Sequence, residues 1–180
     1  MQATRGASLI TGSRFPLTAV LIAVAALIVD QVTKLMAVEH LTDQPAKPVL
    51  GEVLQLNLTY NPGAAFGLGG GFTPVFAVLA AAATVVALWF IRRVRTPLWA
   101  LALGLLTAGI AGNLIDRLVR EPGVMHGHVV DFLQLPNWPI FNVADVCINL
   151  GVALILLQTI RGVQIDGGRV VEQSARGERA

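Results

Sequence analysis

Four long apolar stretches constrain this chain more than any other feature: roughly 15–38, 72–91, 97–115 and 142–160. Each matches the roughly 20 residues an α-helix needs to cross the hydrocarbon core of a bilayer. Lipid offers no partner to a backbone N–H or C=O, so stretches of this kind are expected to be helical. Composition agrees, since 54% of the 180 residues are hydrophobic and 13% are charged, which belongs to the membrane class. The length suits one compact domain, 1–180. The expectation is therefore a mainly α, polytopic membrane protein with four transmembrane helices. Outer segments 39–71 and 116–141 join them, and a Gly- and Arg-rich tail, 161–180, reads as disordered. The formal charge of +2 forms no basic stripe of the kind a nucleic acid needs, so no nucleic-acid partner is expected. The single cysteine, Cys147, excludes an internal disulfide and a multi-cysteine metal site. In its apolar run it reads as a small buried hydrophobe.

The basic residues mark topology. Arg5 and Arg14 precede span one, Arg92, Arg93 and Arg95 fill the turn between spans two and three, and Arg161, Arg169, Arg176 and Arg179 follow span four. The other two connections hold only Lys47, Arg117 and Arg120, with Lys34 inside span one. Both termini and the middle turn are thus expected in the cytoplasm. Span one resembles a signal peptide but is too long and lacks a small-residue cleavage site, which favours a retained anchor. With this orientation Asp30 and Lys34, then Asn113, Asp116 and Arg117, then Asn142 and Asp145 all converge on the outer membrane face.

The first outer segment contains Leu54, Leu56, Leu58 and Tyr60 alternating with Gln55, Asn57 and Thr59. This period of two predicts a strand with one oily face, lying on the membrane surface or covering a groove, so the outer region is expected to be a small extracytoplasmic β-containing segment. The run Asn61-Pro62-Gly63-Ala64-Ala65-Phe66-Gly67 follows; it fits an ordinary Asn-Pro-Gly turn or a close backbone approach to a ligand. Gly63 and Gly67 are expected pivots if this segment moves as a cover. Asn57-Leu58-Thr59 matches a glycosylation acceptor, a pattern too short to carry weight. The second outer segment carries His126, His128, Asp131 and then Trp138 between Pro136 and Pro139, an interfacial anchor with a bent, non-helical approach to the membrane.

Asp131 and Asp145 are the chemical focus. A carboxylate beside hydrocarbon is costly and is read first as functional. Two that meet share a proton and separate into an acid and a base. Asn142 with Asp145 has a structural alternative, an N-cap and an acid on the positive end of a helix. Asp30 and Lys34, four apart on one helix face, fit a structural ion pair with Lys34 snorkelling outward as well as they fit a role in chemistry. Gly104, Ala108 and Gly112 form a small-residue stripe suited to close helix packing. Asp116 and Arg117 do not share a helix face, so Arg117 needs a partner from elsewhere. His126 and His128 near Asp131 raise a zinc site, but their spacing matches no metalloprotease pattern, and none is expected. Ser8, Ser13 and Ser174 lie in the cytoplasmic ends, away from any triad.

Five segments in order resemble the bacterial lipoprotein signal peptidases (signal peptidase II): Asp30-Gln31-Val32-Thr33-Lys34; Asn61-Pro62-Gly63-Ala64-Ala65-Phe66; Gly109-Ile110-Ala111-Gly112-Asn113-Leu114-Ile115-Asp116-Arg117; Val129-Val130-Asp131-Phe132; and Phe141-Asn142-Val143-Ala144-Asp145. Ala108-Gly109 stands where that family has Gly-Gly, and the connection from Arg117 to Asp131 is longer. The resemblance implies a membrane aspartic endopeptidase of the bacterial inner membrane, working at its outer face without a cofactor. Its substrates would be diacylglyceryl-modified prolipoproteins, cut before the lipid-bearing cysteine, with membrane phospholipid around the site. It also implies Asp131 and Asp145 as the catalytic pair. Asn61, Gly63, Asn113, Arg117 and Asn142 would bind substrate or position the pair, with Asp30 and Lys34 as a structural polar pair. Two rivals make different demands. A transporter needs polar residues through the full membrane depth, whereas the inner halves here are nearly bare of them. A non-catalytic lipid-binding subunit would tolerate Asn at both aspartates.

Overall fold

The computed structural model describes residues 14–63 and 70–169. Four helices form: α1 (Phe15–Leu41), α2 (Thr73–Ile91), α3 (Pro97–Val119) and α4 (Val143–Ile160). Each is long and apolar enough to cross a membrane. Prolines stand in the first turn of α1, α2 and α3, where the missing N–H is no loss and the fixed φ already suits a helix. At 27 residues α1 is the longest; about 40 Å of helix exceeds the ~30 Å hydrocarbon core, so its end stands clear of it.

Half of the apolar window of α3 is buried, against 17–22% in the other helices. It packs against all three of them, and small residues permit this. A Cβ on Gly104 would sit 2.8 Å from the Ala19 carbonyl of α1, and one on Gly112 would sit 2.5 Å from Asp30 Oδ2. The stripe expected to pack closely therefore faces α1, where it also makes room for a carboxylate. α3 runs four residues past the expected boundary near 115, so Asp116 and Arg117 belong to its last turns and not to a loop. Hydropathy ends at the bilayer, but the helix continues because Arg120 Nε bonds Asp116 Oδ1 at 2.7 Å, one turn back.

Three strands, β1 (Lys47–Leu50), β2 (Leu54–Asn61) and β3 (Val129–Gln134), form an antiparallel sheet in that order. The expected strand at Leu54–Tyr60 is β2. Leu56 and Leu58 pack with Val130 and Phe132 on Ala37 and Leu41 at the end of α1, so part of the oily face is spent on the helix. The pairing shifts along β2: Leu56 faces Leu133 and Thr59 faces Asp131, three steps on one strand against two on the other. This irregularity switches which side chains share a face. Beyond it, Thr59 and Asn61 lie on the Asp131 side, while Tyr60 is exposed. β3 itself has no counterpart in the sequence reading. Asn57 Nδ2 donates to Gln134 Oε1 at 3.0 Å, tying β2 to β3. The long connection after α3 folds back on the helix end, with Gly127 N donating to Arg117 O and His128 N to Glu121 O.

The segment 161–169, expected within a disordered tail, is ordered. Val163 bridges Arg169, and Ile165 O accepts from Arg95 N at 2.9 Å. Trp99 Nε1 donates to Val163 O at 3.1 Å, and Ile165 packs with Phe15 and Trp99 against buried Val94. Composition averaged over the tail hides Val163 and Ile165, the two apolar residues that anchor it. Ala64, Ala65, Phe66, Gly67 and residues 170–180 lie outside the described residues.

Candidate active site

The N-terminus of α4 organises the site. Asn142 is its N-cap: Oδ1 accepts from Asp145 N at 2.9 Å, and Asp145 Oδ2 accepts from Asn142 N at 3.1 Å. This is a reciprocal capping box, so the structural alternative read from the sequence is present in full. A third donor of that terminus, Ala144 N, binds Asp30 Oδ1 of α1 at 2.8 Å. Two carboxylates thus sit on the positive end of one helix.

The cap does more than close a helix. Asn142, fully buried, also sends Nδ2 to Asp131 Oδ1 at 2.6 Å and to Asn113 Oδ1 at 3.2 Å. Asn61 Nδ2 donates to the other Asp131 oxygen at 3.1 Å, and Asn113 Nδ2 donates to Asp145 Oδ1 at 2.8 Å. The two aspartates, one on a strand and one on a helix, are therefore joined through one buried residue, Asn142, whose side chain donates to Asp131 and whose backbone N donates to Asp145. Each carboxylate has both oxygens met by N–H donors.

Beneath the pair lies a buried charge network. Lys34 Nζ is within 2.9 Å of Asp30 Oδ2, 2.7 Å of Asp116 Oδ2 and 3.0 Å of Asn113 Oδ1. It is completely enclosed, which corrects the expectation that it snorkels. Two carboxylates and an amide oxygen at the right distance hold an ammonium better than a path to water does. Asp116 was missed as its second partner, although its place three residues after Asn113 puts it on the same side of α3. Asp116 also accepts from Val130 N, fixing the strand that carries Asp131. Arg117 finds its partner in backbone: Nη2 donates to Gly63 O at 2.8 Å and Nη1 to Asn113 O at 3.0 Å. It thereby ties the segment after β2 to α3.

Asn61, Gly63, Asn113, Arg117, Asp131 and Asp145 all line one cavity of about 570 Å³, a size suited to a small ligand or a short peptide segment. Asn142, Asp30 and Lys34 stand behind the wall. Val129, Ile140, Phe141, Val146 and Leu150 make the rest largely apolar, with Trp138 and Pro139 at one side. Val146, Asn149 and Leu150 recur with Asp145 along one face of α4, a helical spacing visible in the sequence but not used. His128 lines a different hollow, beside Tyr60 and Arg120, and His126 is exposed with its ring against Val124 O. Among the described residues no three His, Cys, Asp or Glu side chains cluster to hold a metal ion.

Burial and the neighbouring Asp145 charge push Asp131 up to about 7, against the opposing pull of the Asn61 and Asn142 donors and of Lys34. Near neutral pH it is therefore poised between acid and base. An apolar cavity holding two carboxylates, one of them half-protonated, is equipped for hydrolysis with proton transfer in both directions.

Known proteins resemble this chain in sequence and fold. The family model described as Signal peptidase (SPase) II matches residues 22–161. A lipoprotein signal peptidase of Leifsonia xyli is 45% identical over 87% of this chain and 74% of its own length. One from Rhodococcus jostii is 43% identical over 82% and 75%. A bacterial membrane enzyme solved by the in meso method at 2.3 Å resolution superposes with a TM-score of 0.70 at 31% identity, covering 80% of this chain and 88% of that one. With a matching family model, close relatives over most of its length and the same fold, the chain belongs to the signal peptidase II family.

Proposed function

We propose that this multi-pass membrane protein is an aspartic endopeptidase that removes the signal peptide from prolipoproteins, with Asp131 and Asp145 as its catalytic pair. The observation that carries this reading is Asn142, whose side-chain Nδ2 donates to the Asp131 carboxylate and whose backbone N donates to that of Asp145, at the wall of a cavity opening among apolar side chains. A water between the pair attacks the scissile carbonyl carbon while Asp145 takes its proton. Asp131, protonated, donates to the carbonyl oxygen, which becomes a hydroxyl. The tetrahedral species then collapses: the C–N bond breaks, Asp145 passes its proton to the leaving amine, and Asp131 recovers its own. One water is consumed and the pair returns to its starting state.

The substrate class is a diacylglyceryl-modified prolipoprotein cut before its lipidated cysteine, with the acyl chains left in the bilayer. Leu150, Val146 and Ile140 supply apolar wall for the residues flanking the cut, and Asn149 offers a polar edge. Asn61 and Asn113 orient the aspartates, and Arg117 holds the Gly63 backbone beside them. The arginine distribution supports the bacterial cytoplasmic membrane with both termini inside and the cavity at the outer face. Incubation with a lipid-modified prolipoprotein tests the reading: wild type cleaves it, whereas Asp131→Asn and Asp145→Asn do not while remaining folded. Near-normal turnover by either variant rules out the pair. A reporter after Arg161 should read cytoplasmic and one near Pro122 external; the reverse would deny the pair access to exported substrates.

A further inference from the structure

A second cavity, of about 700 Å³, lies at the opposite end of the helices from the aspartates. Ala83, Val86 and Phe90 of α2, Leu103 and Leu106 of α3, and Ile155 of α4 make its walls. Its floor is the ordered 162–165 segment, held by Trp99 and Arg95. Thr159 and Gln164 are polar residues of its lining, and arginines stand at the helix ends beside it. Arg92, Arg93 and Arg95 follow α2, Arg161 caps α4 beside the lining residue Gly162, Arg14 caps α1, and Arg169 closes the returning segment. All six are exposed, against one acid, Asp166. Among the described residues none of these guanidiniums is in an ion pair. Arg93 lies 3.8 Å over the ring of Trp89, which is not among the cavity's lining residues. Two helix starts and two helix ends meet here, so their partial charges oppose one another and the arginines set the sign.

We propose that this groove binds one anionic phospholipid, its acyl chain between α2, α3 and α4 and its phosphate between Arg92 and Arg161. Charge selects this occupant over the others an apolar groove admits. The signal helix of a substrate begins with Lys or Arg and would meet like charge at the mouth. A second copy of this chain would bring the same six arginines. A phosphate head with an acyl tail fits both the rim and the wall.

Trp99 lines the groove and reports its occupancy. In protein carrying Trp89→Phe and Trp138→Phe, Trp99 is the only tryptophan left. In vesicles doped with brominated lipid, its fluorescence should be quenched by brominated phosphatidylglycerol at about ten-fold lower mole fraction than by brominated phosphatidylcholine. Arg92→Gln with Arg161→Gln should erase that preference, since about five-fold per arginine exceeds ten-fold for the two together. Ala83→Phe fills the groove with every arginine in place and should abolish quenching by both lipids. Counting retained phosphatidylglycerol on otherwise wild-type protein by native mass spectrometry repeats both comparisons if the single-tryptophan protein folds poorly. Equal quenching by the two lipids overturns the proposal. A phosphatidylglycerol preference that survives Ala83→Phe overturns it too, because attraction is then diffuse. Displacement of the lipid by an unlipidated basic signal peptide, or by dimer formation, assigns the groove to those occupants and overturns it as well.

Discussion

Replacing Asp131 with Asn should change how stability depends on pH, in a direction opposite to that of most carboxylates. Asp131 stands at about 7 in the folded protein against an ordinary 3.8. The native state therefore holds this proton more tightly than the unfolded chain does. Stability from this group is fully present below the unfolded value and is lost as pH rises through about 7. Between pH 8 and pH 5 the wild type gains about 2.5 kcal/mol from this single titration. Asn cannot titrate and gains none of it. Asn also offers only one acceptor where Asn61 and Asn142 both donate, so one donor faces a donor at a cost of about 1–3 kcal/mol, independent of pH. The variant should thus be clearly less stable than wild type at pH 5 and approach or exceed it at pH 8. The assay is unfolding of both proteins in the same detergent at pH 5, 6.5 and 8. Apart from Asp145, whose charge is coupled to that of Asp131, other groups titrate alike in both proteins and cancel in the difference. Parallel stability curves across this range would refute the reasoning, since they would mean Asp131 is an ordinary carboxylate.

The same proton should appear in turnover: kcat/KM should fall above about pH 7 as the pair loses its acid form, and a flat profile to pH 9 would exclude Asp131 as that acid. Lys34→Met leaves buried Asp30 without its cation and Asp116 with Arg120 alone, and should cost about 3–5 kcal/mol; a loss under 1 kcal/mol in thermal unfolding would show that the network tolerates its absence. Gly112→Ala forces a methyl against the Asp30 carboxylate and should destabilise by about 1–3 kcal/mol, with circular dichroism melting as the check. Strong chelators, and His126→Ala with His128→Ala, should leave prolipoprotein cleavage intact; activity restored only by added metal would contradict the carboxylate mechanism.

What the sequence determined by itself was whatever depends on local pattern. Four apolar runs of bilayer length must satisfy their backbone as helices, so α1 to α4 were legible without any knowledge of packing. The alternation at Leu54–Tyr60 marked β2, and Asn142 with Asp145 read as a cap because the spacing of a capping box is local. The ordered motifs placed the family and drew attention to Asp131 and Asp145. Tertiary structure decided what depends on partners distant in sequence. Whether Lys34 snorkels or is enclosed turns on Asp116, which is 82 residues away on another helix and 2.7 Å away in space. Whether Asn61 or Tyr60 faces Asp131 turns on the shift between Leu56 and Thr59, which exists only once β2 pairs with β3. That β3 forms at all depends on the same pairing. The order of residues 161–169 depends on Trp99 and Arg95 receiving them. Helix formation in lipid is enforced residue by residue, whereas strand register and the burial of a charge are settled by the groups they meet.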